Sequence, residues 1–399
     1  MRHFSCSPRC FWHLLLLVSC MLGGTHRGWP QETAPASRID ALLAEGARDR
    51  LTRERETLAK GLFKGLSSGS PAYKQATDEA VTHLTTIARS KTVDIIESVN
   101  AALLLGELQD SNQQPLVAAT PALEELVLDD TVTPAVRVAA LRGLTVRGEV
   151  LRSRSATDAA RKQATALLPT LTAVCTLGND SLPSTGRNWL QERTLELAAD
   201  LVGLTGDDKA AWEPLKTAVL ELLEDGSRPI NLRVRAATVV KALASSGSEL
   251  PSKTASDQIT ALAVAAVRDD WDAIERQKLE DMLSGTTGQE VAPMLGPTGE
   301  PLENETGYLP EARCLQTSWR LVCLADAIDG LADGMTDGKD QAKKDAADLR
   351  QLGLDIYESP KDKTVLAAIT KLIPEAAAKL KAEEERTPAA GGFTPFQLN

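Results

Sequence analysis

The chain holds 399 residues, 43% of them hydrophobic, 25% charged and only 4% aromatic, with a formal charge of -11. That charge excludes nucleic acid and anionic lipid surfaces as general partners, since both reward positive charge. Ala and Leu, strong helix formers, abound while β-branched and aromatic runs are scarce, so the expected fold class is all-α.

The first element reads as an export signal, residues 1–24. Arg2 and Arg9 precede an apolar run from Phe11 to Leu22, and small residues follow at Gly23 and Gly24. Twelve residues of helix rise ~18 Å, short of the ~30 Å of a bilayer core. Two modes of processing stay open. Leu17-Val18-Ser19-Cys20 resembles the bacterial lipobox, which implies lipidation of Cys20; ordinary cleavage near Gly24 or Thr25 is the alternative. The expected location is periplasmic or extracellular, with a lipid anchor in the first case. Residues 25–36, containing Gly, Pro and Thr, then serve as a flexible tether.

Ser37 to Leu66 predicts one long helix, with Ile39, Leu43, Ala47, Leu51, Leu58 and Leu62 on one side. Arg50, Arg53, Arg55 and Glu56 are expected in water. Helix pairs follow, near 72–90 with 92–108, 115–128 with 133–147, and 156–177 with 187–204. Two more run near 207–224 with 230–245, and 253–268 with 270–284. In the second pair an apolar face (Leu123, Leu126, Val127, Leu128) is broken by Asp129-Asp130-Thr131. Thr133-Pro134 then opens a new helix, Thr133 as cap and Pro134 in the first turn.

A phrase repeats along these helices. Val136-Arg137-Val138-Ala139-Ala140-Leu141 has counterparts beginning at Val99, an offset of 37, and at Val234, an offset of 98. Ala102, Ala139 and Ala237 then coincide, as do Leu104, Leu141 and Val239, and Val136, Leu141, Val239 and Leu104 are expected in the core. A small residue at a fixed place lets neighbouring helices approach closely. A helix, an Asp-bearing turn and a second helix starting Pro-x-Val-Arg resembles the HEAT repeat. The resemblance covers about 92–148 well, extends to about 283, and implies an α-solenoid of antiparallel helix pairs over 37–285. It implies that Asp130 and Arg137 form the structural bond that joins adjacent repeats in that family; Asn100 departs from the Val-Arg pair. On function the resemblance is nearly silent.

Residues 286–310, rich in Gly and Pro, predict a loop or linker. Helical character returns over 311–386 as a C-terminal extension, and 387–399 reads as a disordered tail. Asp326, Asp329 and Asp333 share one helical face, expected to be solvated. A calcium-loop reading of the stretch from Asp333 fails, because Met335 and Lys344 occupy ligand positions.

No catalytic, cofactor or metal constellation stands out. His83 is the one histidine in the folded body, and lies on a helix, where a structural role is expected. Cys175, Cys314 and Cys323 form no disulfide framework: Cys314 and Cys323 lie ~13.5 Å apart along one helix, beyond the ~7 Å that a bridge tolerates. The tryptophans Trp189, Trp212, Trp271 and Trp319 are expected to pack between helices. Sequons stand at Asn179-Asp180-Ser181 and Asn304-Glu305-Thr306. These readings point to an exported scaffold that binds a protein or peptide client. The alternatives are an envelope enzyme using carboxylates after Pro310 and a structural envelope component.

Overall fold

A computed structural model describes residues 34–44, 48–153, 157–178, 184–204, 209–247, 249–283 and 311–373. Within them the fold is all-α: fourteen helices, packed in sequential pairs, and no strand. In chain order these are α1 (Pro35–Ala44), α2 (Arg48–Gly61), α3 (Pro71–Arg89), α4 (Ile95–Glu107), α5 (Thr120–Leu128, preceded by a 3₁₀ turn Val117–Ala119), α6 (Pro134–Ser153) and α7 (Asp158–Cys175). They continue as α8 (Ser184–Val202), α9 (Lys209–Glu224), α10 (Ile230–Ser245), α11 (Ser252–Leu283), α12 (Glu311–Ala332), α13 (Lys339–Glu358) and α14 (Asp362–Leu372).

Local sequence sets many of the boundaries. Ser70 caps α3 by accepting from the Tyr73 amide, with Pro71 in the first turn, and Asp94 caps α4 by accepting from the Ile96 amide. Thr157 does the same for α7.

The helices form two rows. One contains α1, α3, α5, α7, α9, α11 and α14; the other contains α2, α4, α6, α8, α10, α12 and α13. Each helix touches its pair-mate in the opposite row and its neighbours in its own row. The apolar core lies between the rows as one continuous cluster, including Leu104, Val136, Leu141 and Val239, all buried as expected. Along the second row the contacts keep a constant register. Gly148 meets Leu197 and Arg152 meets Asp200 across α6 and α8; Arg235 meets Trp319 and Lys241 meets Asp326 across α10 and α12. Advancing on one helix advances on the other, so these second-row neighbours run parallel.

A repeated device closes the first-row helices. The last carbonyls of an α-helix have no partner within it. Here a side chain near the start of the following second-row helix reaches back to them. Ser98 Oγ donates to Ile87 O at 3.3 Å, Arg137 Nε to Val127 O at 2.8 Å, Gln191 Nε2 to Cys175 O at 2.9 Å, and Arg233 Nε to Leu223 O at 2.9 Å. The turns between them repeat as well: Asp129 accepts from the amide and hydroxyl of Thr131, and Asp225 accepts the same two bonds from Ser227.

Several expectations change. The segment 37–66 is two helices packed on each other, α1 and α2, with Gly46, a poor helix-interior residue, between them in sequence. Arg55 is buried rather than in water, its fork holding both Glu107 oxygens (2.8 and 2.9 Å) and Asn100 Oδ1 (2.8 Å). The two helices expected over 253–284 are one, α11, because no Gly or Pro interrupts it. Its pair-mate is α12, which continues the second row by packing on α10. The repeat offset between the α5–α6 pair and the α9–α10 pair is 96, not 98. Arg137 and Arg233 fill the same position, as do Asp129 and Asp225, and Thr131 and Ser227. Two residues along a helix is ~200° of rotation, so Arg235 faces away from the core instead.

Residues 1–33, Cys20 among them, the stretch 284–310, the end of the expected C-terminal helical region with the tail (374–399), and both sequons lie outside the described residues.

Candidate functional site

The outward face of the second row carries a connected set of inter-helix polar contacts. On α8, Trp189, Arg193, Glu196 and Asp200 recur at three- and four-residue spacing and so form one stripe. Arg193 Cζ lies 6.0 Å from the Trp189 ring centre, and its Nη1 donates to Glu196 Oε2 at 2.7 Å. The other oxygen of Glu196 holds Arg235 Nη2 of α10 at 2.6 Å. Arg235 in turn lies over the Trp319 ring of α12, 4.3 Å from its centre. Trp189, Arg193, Glu196, Arg235 and Trp319 therefore make one ladder across three helices, a carboxylate at its middle and a cation–π stack at each end. Beside it, burial pushes the Glu192 carboxyl above the usual carboxylate range, with Arg235 and Arg193 opposing.

The ladder has extensions at both ends. Arg152 on α6 binds Asp200 on α8 at 2.7 Å. Lys241 on α10 binds Asp326 on α12 at 2.8 Å, and Asp326 also accepts from Arg350 on α13 at 2.8 Å. Burial raises the Asp326 carboxyl, but the bonds from Lys241 and Arg350 outweigh it and hold it below its ordinary value. Asp329 is bound by Arg350, and Asp333 by Lys339 and Lys343; the Lys343 bond chiefly keeps Asp333 low. The three acids expected on a solvated face are thus ion-paired. A general acid at neutral pH needs its pKa raised, whereas Asp326 and Asp333 move the other way.

The first row carries open cavities. Two open cavities of about 790 and 360 Å³ adjoin α3 and share Thr82 and Thr86. The larger is lined by Lys74, Asp78, Glu79 and His83, with Ala36 of α1. His83 Nε2 sits 2.6 Å from Asp40 Oδ1, tying α3 to α1. No group of three His, Cys, Asp or Glu side chains suited to a metal ion gathers among the described residues. No described helix is long and apolar enough to cross a membrane.

The implied Asp130–Arg137 bond is absent. Arg137 is fully buried and its one side-chain hydrogen bond runs from Nε to Val127 O, while Nη1 and Nη2 have no hydrogen-bond partner. Burial lowers its pKa, and Asp130 and Asp129 favour its charge only through space. The Asp of this turn is engaged locally instead: Asp129 binds Thr131 and Arg89 of α3. Cys175 and Cys314 are buried and Cys323 is half-buried, none of them in a disulfide; burial pushes Cys175 up to about 12 and Cys323 to about 11.

Of the tryptophans, Trp212 and Trp271 pack inside as expected, whereas Trp189 stands 47% exposed. The arginines of the ladder were not legible as functional, because each is an ordinary helix-surface residue until its partner on the next helix is known. The one sequence signal was Trp189-Arg193-Glu196 on a single stripe. No protein-family model matches the chain, and no curated protein matches it.

Proposed function

We propose that this protein is an exported binding scaffold, a HEAT-like α-solenoid whose second-row face holds a protein or peptide client. The solenoid reading is supported by the two rows of helices, the cap that recurs from pair to pair, and the turn that returns after 96 residues. Stacked helix pairs of this kind present extended surfaces to their partners. The export reading is supported by Arg2, Arg9 and the short apolar run Phe11 to Leu22.

The observation that carries the binding reading is the ladder from Trp189 to Trp319. It presents Trp and Arg, the residue types that dominate interface energetics, on a stripe that crosses α8, α10 and α12. Site-specific photo-crosslinking in the native host tests it. A photoreactive residue at Thr145 or Thr238, on the second-row face, is expected to yield one discrete adduct. The same residue at Gln163 or Glu221, exposed on the first row, is expected to yield none. Adducts from neither face, or equally from both, contradict the reading.

A further inference from the structure

The second-row face has a local polarity that the net charge of -11 conceals. In the ion pairs of α6 and α8 the arginine stands further out than its acid. The side-chain exposures are 58% for Arg152 against 33% for Asp200, and 49% for Arg193 against 25% for Glu196. Arg142, paired loosely with Glu149 at 3.7 Å, is likewise the more exposed partner. The α6–α8 register, Gly148 on Leu197 and Arg152 on Asp200, sets Arg142 level with Gln191, between Trp189 and Arg193. Guanidinium groups therefore form the outer layer around an exposed indole, and the carboxylates lie beneath them. Arg193 and Arg235 share the single carboxylate of Glu196.

We propose that this face recognises an acidic segment of a partner protein in which a proline or aromatic ring adjoins a carboxylate. The inference rests on the scaffold reading above and names the chemistry of its client. The ring stacks on the part of the Trp189 indole left exposed, the residue being 47% exposed, and the carboxylate takes the outward donors of Arg193 and Arg142. Arginine suits this role because its planar fork matches a carboxylate and keeps its charge at any physiological pH. The patch is small and the rest of the molecule acidic, so a short acidic segment is favoured over a polyanion, which the whole-chain charge repels. Proline-bearing segments are held elsewhere in proteins by aromatic-lined grooves in the same manner.

The test uses the mature protein and a fluorescein-labelled peptide of sequence Glu-Pro-Glu-Pro-Tyr-Glu, followed by anisotropy. The same peptide with Lys in place of Glu is the control. Saturable binding of the acidic peptide is expected, with no binding of the lysine form. Affinity should fall at least about tenfold in Trp189→Ala and in Arg193→Gln. It should also fall as salt rises from about 0.05 to about 0.5 M. Circular dichroism of both variants checks that the fold persists, and Arg142→Gln gives an independent third site. No binding at millimolar peptide, equal binding of the lysine form, or affinities unchanged in all three variants overturns the proposal. If second-row crosslinks persist while the acidic peptide fails to bind, the scaffold reading stands and the client chemistry falls. Loss of both removes both.

Discussion

Gly106 of α4 and Gly143 of α6 face each other so closely that a Cβ on Gly106 would lie 2.4 Å from the Gly143 Cα. The obstacle is backbone, so only separation of the two helices relieves it. Gly353 plays a similar part where α13 meets α12, against Val322 and the Ser318 carbonyl. Gly106→Ala and Gly143→Ala should each destabilise by about 1–3 kcal/mol, the usual cost of overpacking. Gly203→Ala, which meets nothing within 4 Å, should stay within ~0.5 kcal/mol of the wild type. Urea unfolding midpoints decide between them.

The core register is checked by Leu141, buried, against Leu354, exposed. Leu141→Ala should cost about 2–5 kcal/mol, and Leu354→Ala under ~0.5 kcal/mol. Equal costs would contradict the placement of α6 in the core.

Arg137 and Arg233 should behave alike. Each alanine variant loses a charge-assisted bond to a helix-terminal carbonyl, an effect of about 1.5–3 kcal/mol. A double-mutant cycle between Arg137 and Asp130 should show coupling below ~0.5 kcal/mol, since no hydrogen bond joins them. Coupling well above that value would restore the direct pair.

The pairing of helices and the 37-residue offset were legible because a helix's apolar period and its breakers are local. Gly106 and Gly143 obey that offset and touch. The second offset was misread by two residues because Leu232-Arg233-Val234-Arg235 offers two adjacent apolar-Arg dipeptides. Sequence alone ranks Val-Arg first; only the bond from Arg233 to the Leu223 carbonyl shows which arginine caps the helix. The join of α11 to α12 was hidden for a different reason. It depends on buried Asp270, which accepts from Arg313 at 2.8 Å and from the Thr317 hydroxyl across more than forty intervening residues.

That cluster has its own consequence. A chain cut between residues 284 and 310 is expected to elute as one species in size-exclusion chromatography, because α11 and α12 remain packed. Asp270→Ala should weaken the association of the two fragments, leaving Arg313 and Arg320 with Asp269 as the one remaining acid of the pair they share. Fragments of the unsubstituted chain that separate under native conditions would contradict the packing.

Strong acid should weaken the turns. The Thr131 hydroxyl holds the Asp129 carboxyl below its ordinary value, and the Ser227 hydroxyl does the same for Asp225. A carboxyl with a depressed folded pKa contributes stability that is complete above its unfolded value, about 3.9. That contribution is lost as pH falls through the lower folded value. The stability gap between wild type and Asp129→Ala should therefore be constant from pH 5 to 7 and narrow below about pH 4. A gap that widens on acidification would reverse the sign argued here.

The most direct measurement of the binding role compares the proteins co-isolated from the native host with three forms of the full chain. These are the wild type, the second-row variant Trp189→Ala/Arg193→Gln, and the first-row variant Lys162→Gln/Glu221→Gln. A partner retained by the wild type and the first-row variant and lost from the second-row variant is expected. Retention of the same partners by all three forms would contradict it.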